Sequence, residues 1–294
     1  MSGIIGPPGS KFSIPDPYAI SATLCLGPFA TVSWRWRHSI WMGRGNMSGF
    51  GTGKTALVTG AAGGLGIAVS RMLADEGYRV AMADLPGDKL KAAAASIGTT
   101  ARGFGFDVSD SRAAETAFAS IERDLGPVDA LINNAGILSN NKAAETTPEE
   151  WRKVMSVNLD GAFYLSRLAL PGMKKRRSGR IVNTCSFAMK SGGLTAGTAY
   201  TASKGALAAL TFSLARESAS LGVTVNAIAP AHIRTAMVTE QLTEEQRQAL
   251  LRQIPVGRFC EPEEFAHCVR FFLSPLSGFI TGEILDLNGG LHFD

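Results

Sequence analysis

The chain has 294 residues, of which 45% are apolar, and a formal net charge of +4. This length and composition suit a chain that buries a hydrophobic core, and they exclude a protein that is disordered throughout. The four cysteines include no Cys-x-x-Cys pair, so we expect no disulfide scaffold and no metal site. Most of the excess positive charge lies within residues 1–46, so the remainder has no basic face for nucleic acid.

Residues 1–46 differ in composition from the rest of the chain, since they hold three of the four tryptophans. The uncharged stretch from Tyr18 to Trp34 is interrupted by Gly27-Pro28 and is shorter than the roughly 20 apolar residues that a membrane-spanning helix needs. Met47 stands immediately ahead of the first patterned strand. We predict that residues 1–46 are a disordered or mis-annotated leader and that residues 47–294 are one domain carrying both the cofactor and the substrate sites. A targeting segment and a membrane or partner contact are the alternatives for the leader.

Short apolar runs alternate with helix-like segments, such as Ile67–Glu76 and Ser203–Ser220, from Lys54 to the end of the chain. The runs that predict strands are Thr55–Thr59, Arg79–Ala83, Arg102–Phe106, Ala130–Asn133, Arg180–Cys185, Thr224–Ala229 and Glu283–Leu287. Several are apolar throughout, which is typical of strands buried on both faces. The alternation therefore predicts an α/β fold, a Rossmann-like doubly wound parallel sheet of seven strands with helices on both faces.

A glycine-rich turn, Thr59–Gly66, joins the first predicted strand to the first helix. Glycines in such a turn allow a tight bend and a close approach of the backbone to a pyrophosphate, while the helix N-terminus offers free N–H groups. The strand before the turn and the helix after it make a dinucleotide site the favoured interpretation. The expected contacts within the turn are Gly60, Gly64, Leu65 and Gly66.

The second predicted strand is followed by Asp84 and then by Leu85. A carboxylate at this distance from the glycine turn can accept hydrogen bonds from the ribose hydroxyls of NAD, and it would repel a 2′-phosphate. No Lys or Arg lies inside the turn or directly after Asp84. NAD is therefore favoured over NADP, with the alternative that Asp84 only caps the next turn.

Tyr200 and Lys204 are four residues apart at the start of a helical segment, so both side chains project from one face. A nearby ammonium favours the phenolate, which makes the pair an acid and base suited to moving a proton on and off an alcohol. Ser186 follows the predicted strand Arg180–Cys185, at the edge where open α/β sheets bind ligands. Its hydroxyl could then bond a substrate oxygen.

These motifs together resemble the short-chain dehydrogenase/reductase family over nearly all of residues 53–294. The matching pieces are Thr59–Gly66, Asp107-Val108, Asn133–Gly136, Asn158, Ser186, Tyr200–Lys204 and Ile280–Gly282. The resemblance implies that Tyr200 is the proton donor and acceptor, that Lys204 holds the nicotinamide ribose and favours the phenolate, and that Ser186 polarises the substrate carbonyl. It further implies that Asn158 supports a water relay. The cofactor contacts that it implies are Asp107, Val108, Asn134, Ala135, Gly136, Pro230, Ile233 and Thr235.

Two features depart from the family pattern. The spacing from Ser186 to Tyr200 is one residue longer than is common, and the extra residue falls in the loop Met189–Thr198. Ala231 replaces the glycine that usually follows Pro230. We expect these differences to change the pocket and the closing loop rather than the chemistry.

The main functional hypothesis is an NAD(H)-dependent oxidoreductase that interconverts a secondary alcohol and a ketone. One alternative is an NADPH-dependent 3-oxoacyl-[acyl-carrier-protein] reductase, for which the basic run Lys174–Arg177 could dock an acidic carrier, although a solvated helix end also explains that run. An alternative of another class is a non-catalytic dinucleotide-binding regulatory protein. We expect a small-molecule substrate, no nucleic-acid or membrane partner, a homotetramer or homodimer as the family forms, and a cytoplasmic location.

Overall fold

The computed structural model describes residues 23–26, 30–33, 49–234 and 243–293. The chain divides into two compact units, Met1–Asn46 and Met47–Asp294. In the first unit, the strands Thr23–Leu26 and Ala30–Ser33 pair in antiparallel register. The interpretation of residues 1–46 as a leader stays a prediction.

The described part of the second unit contains one sheet of seven strands, and every neighbouring pair is parallel. The strands are β1 (Thr55–Thr59), β2 (Arg79–Asp84), β3 (Ala101–Gly105), β4 (Val128–Asn133), β5 (Gly179–Thr184), β6 (Val223–Pro230) and β7 (Ile284–Leu287). Their order across the sheet is β3-β2-β1-β4-β5-β6-β7. The order reverses direction between β1 and β4, which confirms the predicted doubly wound α/β fold.

The sequence predicts that β4 begins at Ala130, because the charged Asp129 interrupts the apolar run before it. In the structure the strand begins two residues earlier, at Val128. The carboxylate of Asp129 accepts a hydrogen bond of 3.0 Å from the backbone N of Thr55. This bond satisfies the first N–H of β1, so Asp129 can lie inside a strand that is otherwise apolar. The register of β4 against β1 shifts at this point, from Thr55 opposite Val128 to Ala56 opposite Ala130, so Asp129 lies within the strand without a ladder partner.

Helices cover both faces of the sheet. They are α1 (Gly64–Asp75), α2 (Asp88–Ile97), α3 (Ser111–Leu125), α4 (Pro148–Met155), α5 (Gly161–Arg176), α6 (Ala188–Ser191), α7 (Thr198–Ser218), α8 (Glu244–Leu251) and α9 (Pro262–Leu273). Side chains of α1, α2 and α9 share a core with one face, and those of α3, α5 and α7 with the other. No helix in the described parts of the chain is long and apolar enough to cross a membrane.

The alternation of buried residues along β1 explains the two cores. Ala56 and Val58 belong to the core under α1 and α9, whereas Leu57 belongs to the core under α3 and α5. Phe265 and Phe272 of α9 are fully buried and lie two turns apart on one helix face. Each such side chain contributes about 1.5–3 kcal/mol by leaving water, so α9 is held firmly against the sheet.

One π-helical turn, Ser156–Asp160, joins α4 to α5 without a break in the chain path. A π turn holds one more residue than an α turn and is frequent at functional sites. Asn158 lies in the middle of this turn and is buried. The turn thereby brings an amide side chain into the interior beside the carboxyl ends of the strands.

Candidate active site

Tyr200 and Lys204 lie close together on the first turns of α7, as the sequence predicts, and Lys204 also contacts the end of β5. The Lys204 ammonium lies over the Tyr200 ring, 5.7 Å from its centroid, and donates a hydrogen bond of 2.7 Å to the carbonyl oxygen of Thr184. Lys204 is buried, so its ammonium lies beside the Tyr200 ring in the interior at the carboxyl edge of the sheet.

Ser186 follows the end of β5 at the same edge. Its Oγ accepts a hydrogen bond of 3.1 Å from the backbone N of Ala188, so its own hydroxyl hydrogen is left to donate to a substrate oxygen. Cys185 beside it is buried between α7 and β6, and burial raises the pKa of its thiol to about 11. That thiol stays protonated at neutral pH and is a poor nucleophile.

Asn158 uses its amide group on two neighbouring segments. Nδ2 donates to the carbonyl oxygen of Ile137 and to Ser203 Oγ, each at 3.0 Å, and Oδ1 accepts from the backbone N of Ile137 at 2.8 Å. Ser203 Oγ donates in turn to the carbonyl oxygen of Tyr200 at 2.7 Å. Asn158 therefore connects the segment after β4 with the helix that carries Tyr200.

The sequence predicts no role for Ser203, although this residue lies within the Tyr200–Lys204 motif. It is fully buried and stands one residue before Lys204, on the turn of α7 that faces Asn158. The available signal was a serine three residues after a candidate catalytic tyrosine, where its hydroxyl reaches back to the backbone of that residue. The signal is weak, because such serines are common in helices.

The segment after β4 lies against both Lys204 and the glycine turn. A Cβ built on Gly136 would lie 3.3 Å from Lys204 Nζ and from Asn158 Oδ1. Thr59 Oγ1 accepts hydrogen bonds from the backbone N atoms of Asn134 and Ala135, at 3.0 and 2.9 Å. The Asn134 amide donates to the carbonyl oxygen of Thr59 at 3.0 Å. These contacts bring the predicted Asn134–Gly136 segment beside Lys204 and Asn158.

The glycine turn has the shape that a pyrophosphate site requires. Gly60 has φ +62°, and a Cβ built there would lie 2.9 Å from Ala135 Cα. A Cβ on Gly66 would lie only 2.2 Å from the carbonyl oxygen of Gly60, so helix and turn touch at that point. Gly64, the first residue of α1, borders open space, and Leu65 packs partly against the core. The residues present thus fit a dinucleotide, with open backbone N–H groups at the start of α1.

Asp84 makes contacts on the protein side of this turn. One carboxylate oxygen accepts from the backbone N of Ala62 at 2.9 Å, and the other accepts from the backbone N of Leu85 at 2.8 Å. Both carboxylate oxygens therefore already accept backbone hydrogen bonds within the protein, and the alternative that Asp84 only caps the next turn stays a prediction. Leu85 is 62% exposed and lies beside the carboxylate, where an adenine ribose would meet it.

Three other predicted cofactor residues, Asp107, Val108 and Pro230, lie at the carboxyl ends of β3 and β6. Asp107 is exposed and accepts from the backbone N and Oγ of Ser109 at 2.9 and 2.7 Å, whereas Val108 is buried against Gly161. Pro230 ends β6, and its carbonyl oxygen accepts from the backbone N of Phe187 at 2.9 Å. These positions surround the carboxyl ends of β3 and β6, where the predicted cleft lies.

The loop after β6 is described only as far as residue 234. Ile233 is buried and forms a parallel bridge with Cys260, while Thr235 lies outside the described residues. His232 packs its ring edge-on against Phe259, and burial lowers its pKa. His232 is therefore neutral at pH 7 and adds no charge to the cleft.

The basic run Lys174–Arg177 ends α5, just before β5 begins at Gly179. Lys174 pairs with Glu217 at 2.9 Å, and Arg176 pairs with Asp129 at 3.4 Å. The run lies at the edge of the sheet where the strands begin, and Ser186 lies at the opposite edge, where they end. Among residues 49–234 and 243–293, no group of three or more His, Cys, Asp or Glu side chains could hold a metal ion.

Comparison with known proteins agrees with this arrangement. A family described as enoyl-(acyl carrier protein) reductase matches residues 60–292. The 3-oxoacyl-[acyl-carrier-protein] reductase FabG of Vibrio cholerae is 42% identical over 241 residues, which cover 82% of this chain and 98% of that protein. The acetoacetyl-CoA reductase of Rhizobium meliloti is 41% identical over 240 residues, 82% of this chain and 99% of that protein.

The nodulation protein G of Azospirillum brasilense is 42% identical over 247 residues, 82% of this chain and 98% of that protein. These relatives are matched over almost their whole length, and the family match over residues 60–292 includes Gly60–Gly66 and helix α7. The chain therefore belongs to the short-chain dehydrogenase/reductase family, as an oxidoreductase that acts on CH–OH donors with a nicotinamide dinucleotide.

Proposed function

We propose that the chain reduces the 3-oxo group of an acyl thioester to a 3-hydroxy group, and that it takes NADH in preference to NADPH. The relatives named for 3-oxoacyl and acetoacetyl substrates support the choice of thioester. They favour the reductase alternative over a general alcohol dehydrogenase. The observation that carries an enzymatic function is the buried Lys204 ammonium over the Tyr200 ring at the carboxyl edge of the sheet.

The protein's own residues handle the substrate oxygen. Ser186 donates its free hydroxyl hydrogen to the 3-oxo oxygen, and Tyr200 delivers the proton that this oxygen takes up as negative charge develops on it. Lys204 stabilises the phenolate that remains, and its bond to Thr184 keeps it from turning away. The bound dinucleotide supplies the hydride to the substrate carbon.

Asn158 supports this chemistry by linking the segment after β4 to helix α7. Its amide contacts Ile137 on one side and Ser203 on the other, so it keeps the segment beside the nicotinamide position and helix α7 at a constant separation. The water relay that the family resemblance implies for Asn158 is an additional role. A buried asparagine with all its hydrogen-bonding groups engaged is well suited to the holding role.

Asp84 supports the preference for NADH. Its carboxylate stands at the end of β2 beside the glycine turn, and the 2′-phosphate of NADPH would meet this negative charge. The sequence provides no Lys or Arg within Gly60–Gly66 or at Leu85 to compensate. A second candidate function is favoured by the same residue, namely the oxidation of a secondary alcohol with NAD.

We also expect the protein to act as a homotetramer, with a homodimer as the alternative, in the cytoplasm. Phe163 of α5 and Phe212 of α7 are exposed apolar side chains on two helices of the same face, and Phe279 is fully exposed near the C-terminus. Contact between copies would remove such apolar surface from water. Light scattering on the purified protein measures the number of copies.

Reduction of acetoacetyl-CoA, followed through the absorbance of the reduced nicotinamide, tests the proposal directly. We expect kcat/KM to be at least about tenfold higher with NADH than with NADPH, as a charge repulsion of roughly 1.4 kcal/mol would produce. Turnover of simple secondary alcohols with NAD, without thioester reduction, would favour the second candidate. Dinucleotide binding without turnover of thioesters, ketones or alcohols would favour a regulatory protein.

A further inference from the structure

The loop that precedes the catalytic helix makes a sharp reversal. Gly192 and Gly193 are consecutive residues with φ of +69° and +76°, a left-handed conformation that glycine adopts at little cost. A Cβ on Gly193 would lie 2.4 Å from Thr201 Oγ1, so the loop packs closely against the first turn of α7. Tyr200 lies in that turn.

A lysine from a distant segment holds this loop. Lys142 Nζ donates hydrogen bonds to the carbonyl oxygens of Gly193 and Ala196, both at 2.7 Å. Lys142 belongs to the loop after β4, which contacts α7 only in the folded protein. Hydrogen bonds from a charged donor are about twice as strong as neutral ones. The Lys142 ammonium thus binds two backbone carbonyl oxygens of the loop at the same time.

Backbone contacts extend the same junction to the start of α7. The backbone N of Gly197 donates to the carbonyl oxygen of Ser139 at 2.7 Å, and that of Thr198 donates to the carbonyl oxygen of Asn141 at 3.0 Å. A Cβ on Gly197 would lie 2.5 Å from the Asn141 oxygen and 2.7 Å from the Ser139 oxygen. The two segments therefore touch along their backbones with no room for a side chain.

Glu150 of α4 supports the junction from the far side. Its carboxylate accepts hydrogen bonds from Ser139 Oγ and, at 2.8 Å, from Asn141 Nδ2. These two bonds lower the pKa of Glu150, so the carboxylate is ionised at neutral pH. Ser139 and Asn141 are thereby fixed to α4 while their carbonyl groups hold the N-terminus of α7.

We propose that Lys142 is a positioning residue for Tyr200. Gly197 is the N-cap of α7, and Tyr200 lies three residues beyond it, so a displacement of the junction moves the phenol by a similar amount. Displacements of about 1 Å near a reacting centre can cost about 100-fold in rate. Lys142 acts through the loop carbonyls and the helix start, and it needs no contact with the substrate or the dinucleotide.

The test compares Lys142→Met, which keeps the length of the side chain without donors, with Lys142→Arg, which keeps the donors. We expect Lys142→Met to lower kcat for acetoacetyl-CoA about tenfold, as a lost transition-state interaction does, with the KM and the dinucleotide Kd within about twofold of the unchanged protein. Lys142→Arg should restore most of kcat. Lys175→Met, at an exposed lysine on α5 near the opposite edge of the sheet, is the matched control.

Amide hydrogen exchange provides a readout that needs no substrate. The Gly197 and Thr198 amides should exchange at least about tenfold faster in Lys142→Met, because loss of the clamp opens the junction locally. Gly197→Ala should lower kcat in the same way without rescue by arginine at position 142. It serves as the second variant should Lys142→Met fail to fold.

Unchanged exchange at both amides, or unchanged kcat in Lys142→Met, would overturn the positioning role, as would an equal loss of kcat in Lys175→Met. The activity readout rests on the proposed function. Absence of thioester reduction by the unchanged protein would reject that function, whereas the exchange comparison would still decide whether Lys142 holds the junction.

Discussion

The Lys204 ammonium lies 5.7 Å from the centroid of the Tyr200 ring and is bonded to the carbonyl oxygen of Thr184 at 2.7 Å. The cation is therefore anchored to the end of β5 while its backbone belongs to the same helix as the phenol. The Lys204 ammonium is fixed to the sheet, whereas the Tyr200 phenol moves with α7. The distance between the two groups therefore depends on the position of α7 against the sheet. The contacts of α7 with Asn158 and with the loop before it fix that position.

Replacement of Tyr200 by Phe removes the hydroxyl and keeps the ring. We expect kcat to fall by about 1,000-fold, within the range that a positioned acid or base contributes. The Kd of NADH should stay within about twofold, because the ring still packs at the start of α7. Steady-state kinetics and a fluorescence titration of NADH check the two outcomes, and a variant with nearly unchanged kcat would refute the assignment.

Replacement of Asp84 by Asn removes the negative charge and keeps an oxygen that can accept from the Ala62 N–H. The ratio of kcat/KM for NADH to that for NADPH should fall by about tenfold or more, as the repulsion of a 2′-phosphate disappears. Asp88→Asn, at an exposed aspartate in the first turn of α2, is the control and should leave the ratio unchanged. A ratio that does not move in Asp84→Asn would show that Asp84 only braces the turn.

Two glycines of the first turn of α1 should respond differently to alanine. Gly66→Ala places its Cβ against the Gly60 carbonyl oxygen, and overpacking of this kind costs about 1–3 kcal/mol. We expect a lower melting temperature without any cofactor. Gly64→Ala meets open space in the free protein and should leave the melting temperature unchanged, so its effect should appear only in the Kd of the dinucleotide. Equal melting temperatures for the two variants would contradict this account.

The Arg258–Glu264 pair predicts a pH dependence of stability. Arg258 donates hydrogen bonds to both carboxylate oxygens of Glu264. These bonds lower the pKa of Glu264 to about 2. A lowered folded-state pKa stabilises the protein fully above the unfolded value of roughly 4.3, and this stability is lost as the pH falls towards 2. Because the pair is largely exposed, solvent screening keeps its contribution to stability small.

Glu264→Gln should therefore be less stable than the unchanged protein at pH 7, and the difference should disappear in acid. Urea unfolding at a series of pH values measures it. Glu263→Gln, at the exposed neighbour in the same helical turn, should show no such dependence. A constant difference between pH 7 and pH 2 would remove the ion pair as the cause.

The sheet and the proximity of Tyr200 to Lys204 could be predicted because their signals are local. Apolar runs such as Thr55–Thr59 mark buried strands, and the four-residue spacing of Tyr200 and Lys204 puts them on one helix face. The bond from Lys142 to Gly193 could not be predicted, because its acceptor is a backbone carbonyl, which every residue has. The π turn around Asn158 was equally hidden, since its sequence resembles that of an ordinary helix. Asp84 ends β2 beside the glycine turn, but whether it binds a ribose or only caps the next turn stays a prediction, because each role depends on contacts that spacing alone does not determine.

The order of the strands has a consequence for synthesis of the chain. Strand β1 pairs on one side with β2, which follows it closely, and on the other side with β4, which is translated much later. Local pairs form before distant ones, because loop closure is costly. The β1–α1–β2 unit that contains the glycine turn is therefore expected to assemble on the ribosome first. The glycine turn is then in place before helix α7, which carries Tyr200, has been translated.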